Sequence, residues 1–469
     1  MMDDTASDVA TAVSVDGRIF QFVGPLQPAF EPGAFVTLVT PDGIRQLGQV
    51  EDVTFAIGDA LHGSGRVLGT VPDDGKPLDP RRTVPFSTAE IASADPGTID
   101  SLYDGVPVAL EIGSYAASDG VPARLLAHRF NRHTFWCGQS GSGKTYALGV
   151  VLEQVLLHTA LPMVIFDPNA DFVRLREPQR EGETSDSLRT LGERDIRVLR
   201  PSAPDGNSIR VRFVDLPIEA KAAVLRLHPL NDRAEYGELI HLQETVRTLD
   251  PTKIVPRLLE RDSPAARDLA ARVENLGVLG WSLWSGETDA VTHILDSRPD
   301  ATVLDLGGCA YPDESLVVAM AVLDDLWAKR EQRRPLLIVI DEAHNLCSPD
   351  QHSPLHVAVR ERIIQIAAEG RKFGLWLLLS TQRPSRVHPS IISQCDNLAL
   401  MKMTSPVDLD ELGTIFGFVP QTMLARASRF AQGEALFAGG FTPAPMMVRM
   451  GSRLTREGGS DVNVPTRTT

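Results

Sequence analysis

The sequence predicts an α/β protein with a P-loop core on a mostly parallel sheet, preceded by a small N-terminal β-barrel and carrying a helical insertion. Three observations carry that expectation. Short β-rich runs separated by turn signals occupy the first hundred residues. From about residue 130, apolar strands alternate with amphipathic helical stretches, as a parallel sheet requires. Where the two textures meet stands a strand, a glycine-rich loop and a helix, covering 133–137, 138–145 and 146–157.

In the first region, residues 18–23, 34–39, 48–55 and 65–71 read as strands. Gly24-Pro25, Glu31-Pro32-Gly33 and Pro41-Asp42-Gly43 mark turns between them. Strands at this spacing suggest a barrel. Residues 72–107 are rich in Pro, Asp and Gly and read as a loose extension.

The loop Gly138-Gln139-Ser140-Gly141-Ser142-Gly143-Lys144-Thr145 matches the phosphate-binding pattern G-x-x-x-x-G-K-[ST]. Glycines let backbone N–H groups close around phosphate oxygens, and the helix N-terminus adds the positive end of its dipole. Lys144 then reaches the outer phosphates and the Thr145 hydroxyl ligates Mg2+. Gly138 through Tyr146 are therefore expected to bind a nucleoside triphosphate.

Beyond the loop, residues 162–167, 196–199, 209–214 and 302–306 read as strands. Residues 216–298 offer amphipathic helices broken by Pro229, Pro251, Pro256 and Pro264, a helical insertion. The sheet resumes at 336–340, 375–380, 397–402, 434–438 and 445–450, and the polar segment after Gly451 reads as a mobile tail. The expected division is 1–110 for barrel and extension, 111–215 with 299–451 for the core, 216–298 for the insertion and 452–469 for the tail.

The apolar run at 336–340 ends in Asp341-Glu342-Ala343-His344. A buried strand sets Asp341 at its C-terminal edge near the phosphate loop, where a carboxylate holds the magnesium or its waters. Glu342 is then positioned to polarise the water that attacks the γ-phosphate, which favours hydrolysis over mere binding. Gln382, just past the strand at 375–380, is placed to sense the γ-phosphate. Arg371 precedes that strand, at the edge opposite the nucleotide of its own subunit. An arginine there can supply charge to a neighbouring subunit's transition state. Arg132, just before the first core strand, is a second candidate for that role.

Net charge is −15, yet it is uneven: residues 1–110 hold 16 Asp/Glu and 6 Lys/Arg, so the remaining 359 residues carry only −5. An acidic exterior can coexist with a basic channel, so charge does not exclude nucleic acid. No apolar run approaches the roughly 20 residues of a membrane span, so no membrane partner is expected. The acidic start lacks a signal-peptide layout. Cys137, Cys309, Cys347 and Cys395 form no C-x-x-C pair, which suits free thiols in a reducing cytoplasm.

Taken together, Arg132-His133, the phosphate loop, Phe166-Asp167-Pro168-Asn169-Ala170-Asp171-Phe172, Ile340-Asp341-Glu342-Ala343-His344, Glu369-Gly370-Arg371-Lys372-Phe373-Gly374 and Ser380-Thr381-Gln382-Arg383-Pro384-Ser385 resemble the HerA ATPases of the HerA/FtsK group. The resemblance spans most of residues 10–450. It implies a RecA-like core behind a small barrel like that of ATP synthase subunits, and an ATP-hydrolysing hexamer that threads double-stranded DNA through its pore. Lys144, Thr145, Asp341, Glu342, Arg371 and Gln382 match the family's functional positions. A nuclease partner in DNA end processing or antiviral defence fits the resemblance. So does a scaffold ATPase that regulates a separate nuclease or NAD-consuming effector without processive translocation. The Arg-bearing segments 174–180 and 207–212 are candidate DNA contacts. Superfamily 2 helicases share Asp-Glu-Ala-His but carry a late Q-x-x-G-R-x-G-R motif, and transporter ATPases carry L-S-G-G-Q; this chain has neither.

Overall fold

The computed structural model describes residues 10–25, 30–55, 60–72, 78–118, 120–180, 182, 184–203, 206–245, 251–285, 290–350 and 353–459. The chain forms two compact units. One comprises Met1–Phe130, Trp136–Gln154 and Asp396–Ser452; the other comprises Asn131–Phe135, Val155–Cys395 and Arg453–Thr469.

The first unit opens with a closed six-stranded barrel. Its strands run in the order Thr11–Ser14, Ile19–Pro25, Ala60–Thr70, Arg45–Phe55, Phe35–Val39 and Phe86–Ser93. Alternation along each strand turns one set of side chains inward. Phe20, Phe22, Phe30, Val36, Leu38, Val50, Leu61, Val67 and Ile91 fill the interior, with Phe22 and Phe30 meeting edge to face at 5.5 Å. The sixth strand corrects the expectation of a loose extension over 72–107. Phe86–Ser93 pairs with both Thr11–Ser14 and Phe35–Val39 and so closes the barrel. Phe86, Ala89 and Ile91 are its buried residues; a register shift against Thr11–Ser14 breaks the two-residue alternation, and the flanking Pro, Asp and Gly residues obscure the strand in the sequence.

The same unit carries the antiparallel run Asn397–Met401, Glu434–Gly439, Met446–Met450, Ala109–Tyr115 and Pro122–Leu126. The barrel is tied to it by Gln49, whose Nε2 donates to the Pro445 carbonyl at 2.6 Å. Arg426 adds an ion pair to Glu31 at 2.6 Å.

The second unit holds five parallel strands in the order Ile196–Leu199, Ala301–Asp305, Met163–Asp167, Leu336–Ile340 and Leu375–Thr381. The three in the middle are buried at every residue, as continuous apolar runs in a parallel sheet should be. Residues 209–214, expected as a strand, are not one. Among the described residues that region pairs through isolated bridges, Arg200 with Ser208 and Val211 with Trp284, and a 3-10 turn at Phe213–Asp215 follows. Helices Ile218–Val224, Arg233–Thr245, Ile254–Leu259, Pro264–Leu276 and Val291–Asp296 follow. Residues 453–458 of the expected mobile tail are hydrogen-bonded to residues 171–179; residues 460–469 lie outside the described part.

Candidate nucleotide and carboxylate sites

The strand Thr134–Cys137 leads into the glycine loop, which lies in the first unit, and the helix Lys144–His158 leaves it. Gly141 and Gly143 take left-handed φ of 76° and 86°, a region that glycine enters without steric penalty. Neighbouring segments brace the loop. Gln139 N donates to Lys402 O at 2.9 Å, and Gly433 N donates to Ser142 O at 3.0 Å. The Gln139 side-chain oxygen accepts from Thr404 N at 3.1 Å and Thr404 Oγ1 at 2.8 Å. Ser140 is exposed, Lys144 is 4% exposed, and Thr145 and Tyr146 are half-buried. Backbone amides at a helix start beside a lysine form an anion cradle by construction.

In the second unit, the parallel strands end on a common edge that carries acidic side chains. Asp341 follows Leu336–Ile340, and Ser380 Oγ on the next strand donates to its Oδ1 at 2.7 Å. Asp167 ends Met163–Asp167, and its oxygens accept from the Asp171 and Phe172 backbone N–H groups at 2.9 and 2.8 Å. Asp167, Asp171 and Asp341 are all buried, with ligand atoms within 4.8 Å of one another. Burial, with Asp171 and Asp341 adding like charge, pushes the Asp167 carboxyl up to about 7 against the pull of its two N–H donors. Hard oxygen donors packed this closely suit a divalent cation such as Mg2+. Such an ion supplies charge neutralisation on phosphate oxygens when bound.

Glu342 is 6% exposed and sits at φ 44° and ψ 50°. A non-glycine residue is held there only when its surroundings over-determine it. Gln382 Nε2 donates to Glu342 Oε1 at 2.7 Å, and His344 Nδ1 lies 3.2 Å from Oε2. His344 Nδ1 is also 3.2 Å from Thr381 Oγ1. The structure thus brings together Asp341, Glu342 and Gln382. Sequence reasoning assigned no role to Ser380, His344, Asp167 or Asp171, although each lies in a stretch that it singled out. Their signal was adjacency to strand ends.

Arg371 stands apart from that group, in the turn Gly370–Phe373 between the helix Pro354–Glu369 and the strand Leu375–Thr381. Phe373 of the same turn packs edge-on against Trp327 at 5.9 Å, with Arg330 over both rings. Arg132 is half-buried, and makes no hydrogen bond or ion pair among the described residues.

A parallel sheet with a glycine loop at a helix start and carboxylates at its strand ends defines a P-loop nucleotide hydrolase. A family model described as "Helicase HerA, central domain" matches residues 110–323. The protein named "Probable DNA double-strand break repair helicase HerA" from Methanocaldococcus jannaschii is 21% identical, covering 92% of this chain and 93% of that protein. The "DNA double-strand break repair helicase HerA" of Pyrococcus furiosus is also 21% identical, over 87% of this chain and 79% of its own length. Among solved structures, the bacterial conjugative coupling protein TrwBdeltaN70 shares the fold with a TM-score of 0.52 at 14% identity, covering 79% of this chain and 94% of that one. Over most of its length the chain is thus similar to HerA helicases, and it is a helicase-like P-loop ATPase. No helix among its described residues is long and apolar enough to cross a membrane.

Proposed function

We propose that this protein is an ATP-driven motor that moves on double-stranded DNA as a homo-oligomeric ring, a hexamer, in the cytoplasm. The observation that carries the hydrolytic part is Glu342, held in a left-handed conformation with Gln382 on one carboxylate oxygen and His344 beside the other. A buried carboxylate held through one oxygen in this way is suited to take a proton from an attacking water. In this reading Gly138–Tyr146 bind ATP, Lys144 steadies its outer phosphates, and Thr145 and Asp341 hold magnesium. Gln382 reports on the γ-phosphate to Glu342, and Arg371, with Arg132 in reserve, serves the neighbouring subunit. Burial pushes the Cys137 and Cys347 thiols well up, and Cys309 up to about 12. Such unreactive thiols are compatible with a reducing compartment. The names of the relatives support DNA as the track, and a nuclease is the partner that a DNA-end-processing motor would serve.

The test has two arms. Glu342→Gln should reduce ATP turnover by at least about a hundredfold, as loss of a general base does, while ATP still binds; retained turnover would remove Glu342 from catalysis. Duplex DNA should raise wild-type turnover, and added salt should reverse the effect steeply. A flat response to DNA would favour the scaffold reading.

A further inference from the structure

We propose that the C-terminal segment Arg453–Gly459 is a positioning element for the carboxylate cluster: it holds the Asp167–Phe172 turn so that Asp171 stands beside Asp341. This rests on the reading above, in which those carboxylates serve a divalent ion.

The segment lies against the turn through specific contacts. Gln179 N donates to Leu454 O at 2.8 Å, Arg456 N to Glu177 O at 2.9 Å, and Gly458 N to Asp171 O at 3.1 Å. Pro178 and Thr455 add an antiparallel bridge. The Arg453 side chain is fully buried. Its Nη2 reaches Asp171 O at 3.4 Å and Arg456 O at 3.2 Å, and its guanidinium lies 5.6 Å from the Phe172 ring centre. Two donors from the tail therefore converge on the carbonyl of Asp171, while Arg453 packs on the ring of the next residue.

The turn needs such support. Ala170 is held at φ 60°, a strained value for a residue with a side chain. Asp171 brings a third carboxylate to within 4.8 Å of Asp167 and Asp341, and like charges at that range repel when no cation is bound. The two N–H bonds to Asp167 fix the near side of the turn; the tail fixes the far side. The fit leaves no slack. A Cβ on Gly458 would fall 1.7 Å from Ala170 O, and one on Gly459 would fall 2.6 Å from Asp171 Oδ1. Any side chain at 458 must displace the segment or the turn. The segment also covers part of 174–180, one of the stretches considered for DNA contact.

The experiment uses the full-length protein, Gly458→Ala, Arg453→Met, Arg453→Lys and a chain ending at Glu457. Mn2+ binding with ATP present is read by electron paramagnetic resonance, ATP binding is read in EDTA, and folding is read by thermal melting. Gly458→Ala and Arg453→Met should weaken Mn2+ binding about tenfold or more, the usual effect of losing a group that orients a metal ligand. The Mg2+ needed for half-maximal turnover should rise by the same factor, and ATP affinity in EDTA should not change. Arg453→Lys should recover part of the loss. The shortened chain, which keeps Arg453 and loses the Gly458 contact, should show a smaller shift in the same direction. It decides the matter if the other variants do not melt cooperatively. Unaltered Mn2+ affinity in folded variants overturns the proposal. So does a loss that only tracks ATP affinity. A wild-type protein that neither binds Mn2+ nor turns over ATP would overturn the functional reading as well, whereas an active wild type with unmoved variants overturns the positioning role alone.

Discussion

Lys221 shows how a single residue's surroundings change its chemistry. It lies on the helix Ile218–Val224, 3% exposed, with Nζ donating to Val214 O at 2.9 Å and 5.8 Å from the Phe213 ring centre. Burial pulls its pKa from 10.5 down to about 8, against the attraction of Asp215. Between those values the unfolded chain holds a proton that the folded chain has released, so stability rises with pH across that window. Lys221→Met should flatten the rise. Urea denaturation of both proteins at pH 7 and 9.5 checks it, and an equal gain in both would mean that Lys221 titrates as an ordinary lysine. Glu342 makes the complementary point. Its place after an apolar strand made it a candidate base from the sequence, but its left-handed backbone and its two flanking partners are visible only in three dimensions.

At the scale of elements, the turn at Gly370–Phe373 decides where Arg371 points. Gly374 closes it at φ 83°, and its carbonyl accepts from Leu336 N at 2.9 Å, which sets the turn against the start of the neighbouring strand. A Cβ there would meet the Pro335 Cα at 3.1 Å and N at 3.2 Å. Gly374→Ala should therefore cost about 1–3 kcal/mol, the range for forcing a side chain into left-handed backbone, and should lower turnover through Arg371. Urea denaturation with a turnover assay checks both, and a neutral result would show that the turn relaxes freely. Other elements were legible for different reasons. The P-loop announces itself because its chemistry needs particular residues at fixed spacing. Phe86–Ser93 was missed because strand identity there depends on two partners more than forty residues away in sequence.

For the molecule as a whole, the proposed ring has a direct test. In head-to-tail assemblies each interface joins unlike faces of two subunits. Arg371→Ala subunits keep Glu342, and Glu342→Gln subunits keep Arg371. If Arg371 acts across the boundary, mixing the two inactive variants should restore activity at about a quarter of interfaces, by random assortment in such a ring. Turnover of the co-assembled proteins measures this, and no recovery would place Arg371 in service of its own subunit.

The amino-acid sequence by itself determined the nucleotide-binding class, the acidic pair Asp341-Glu342 at the end of an apolar strand and the alternation of strand and helix. Each is written in local spacing, where a few consecutive residues impose a conformation and carry a chemistry. Only the tertiary structure decided that Asp167 and Asp171 join Asp341, that Ser380 and His344 attend the carboxylates, and that Arg453–Gly459 packs beneath the Asp171 turn. Those groupings join segments up to nearly three hundred residues apart. They arise from parallel strand order and close packing, to which each segment contributes only one side.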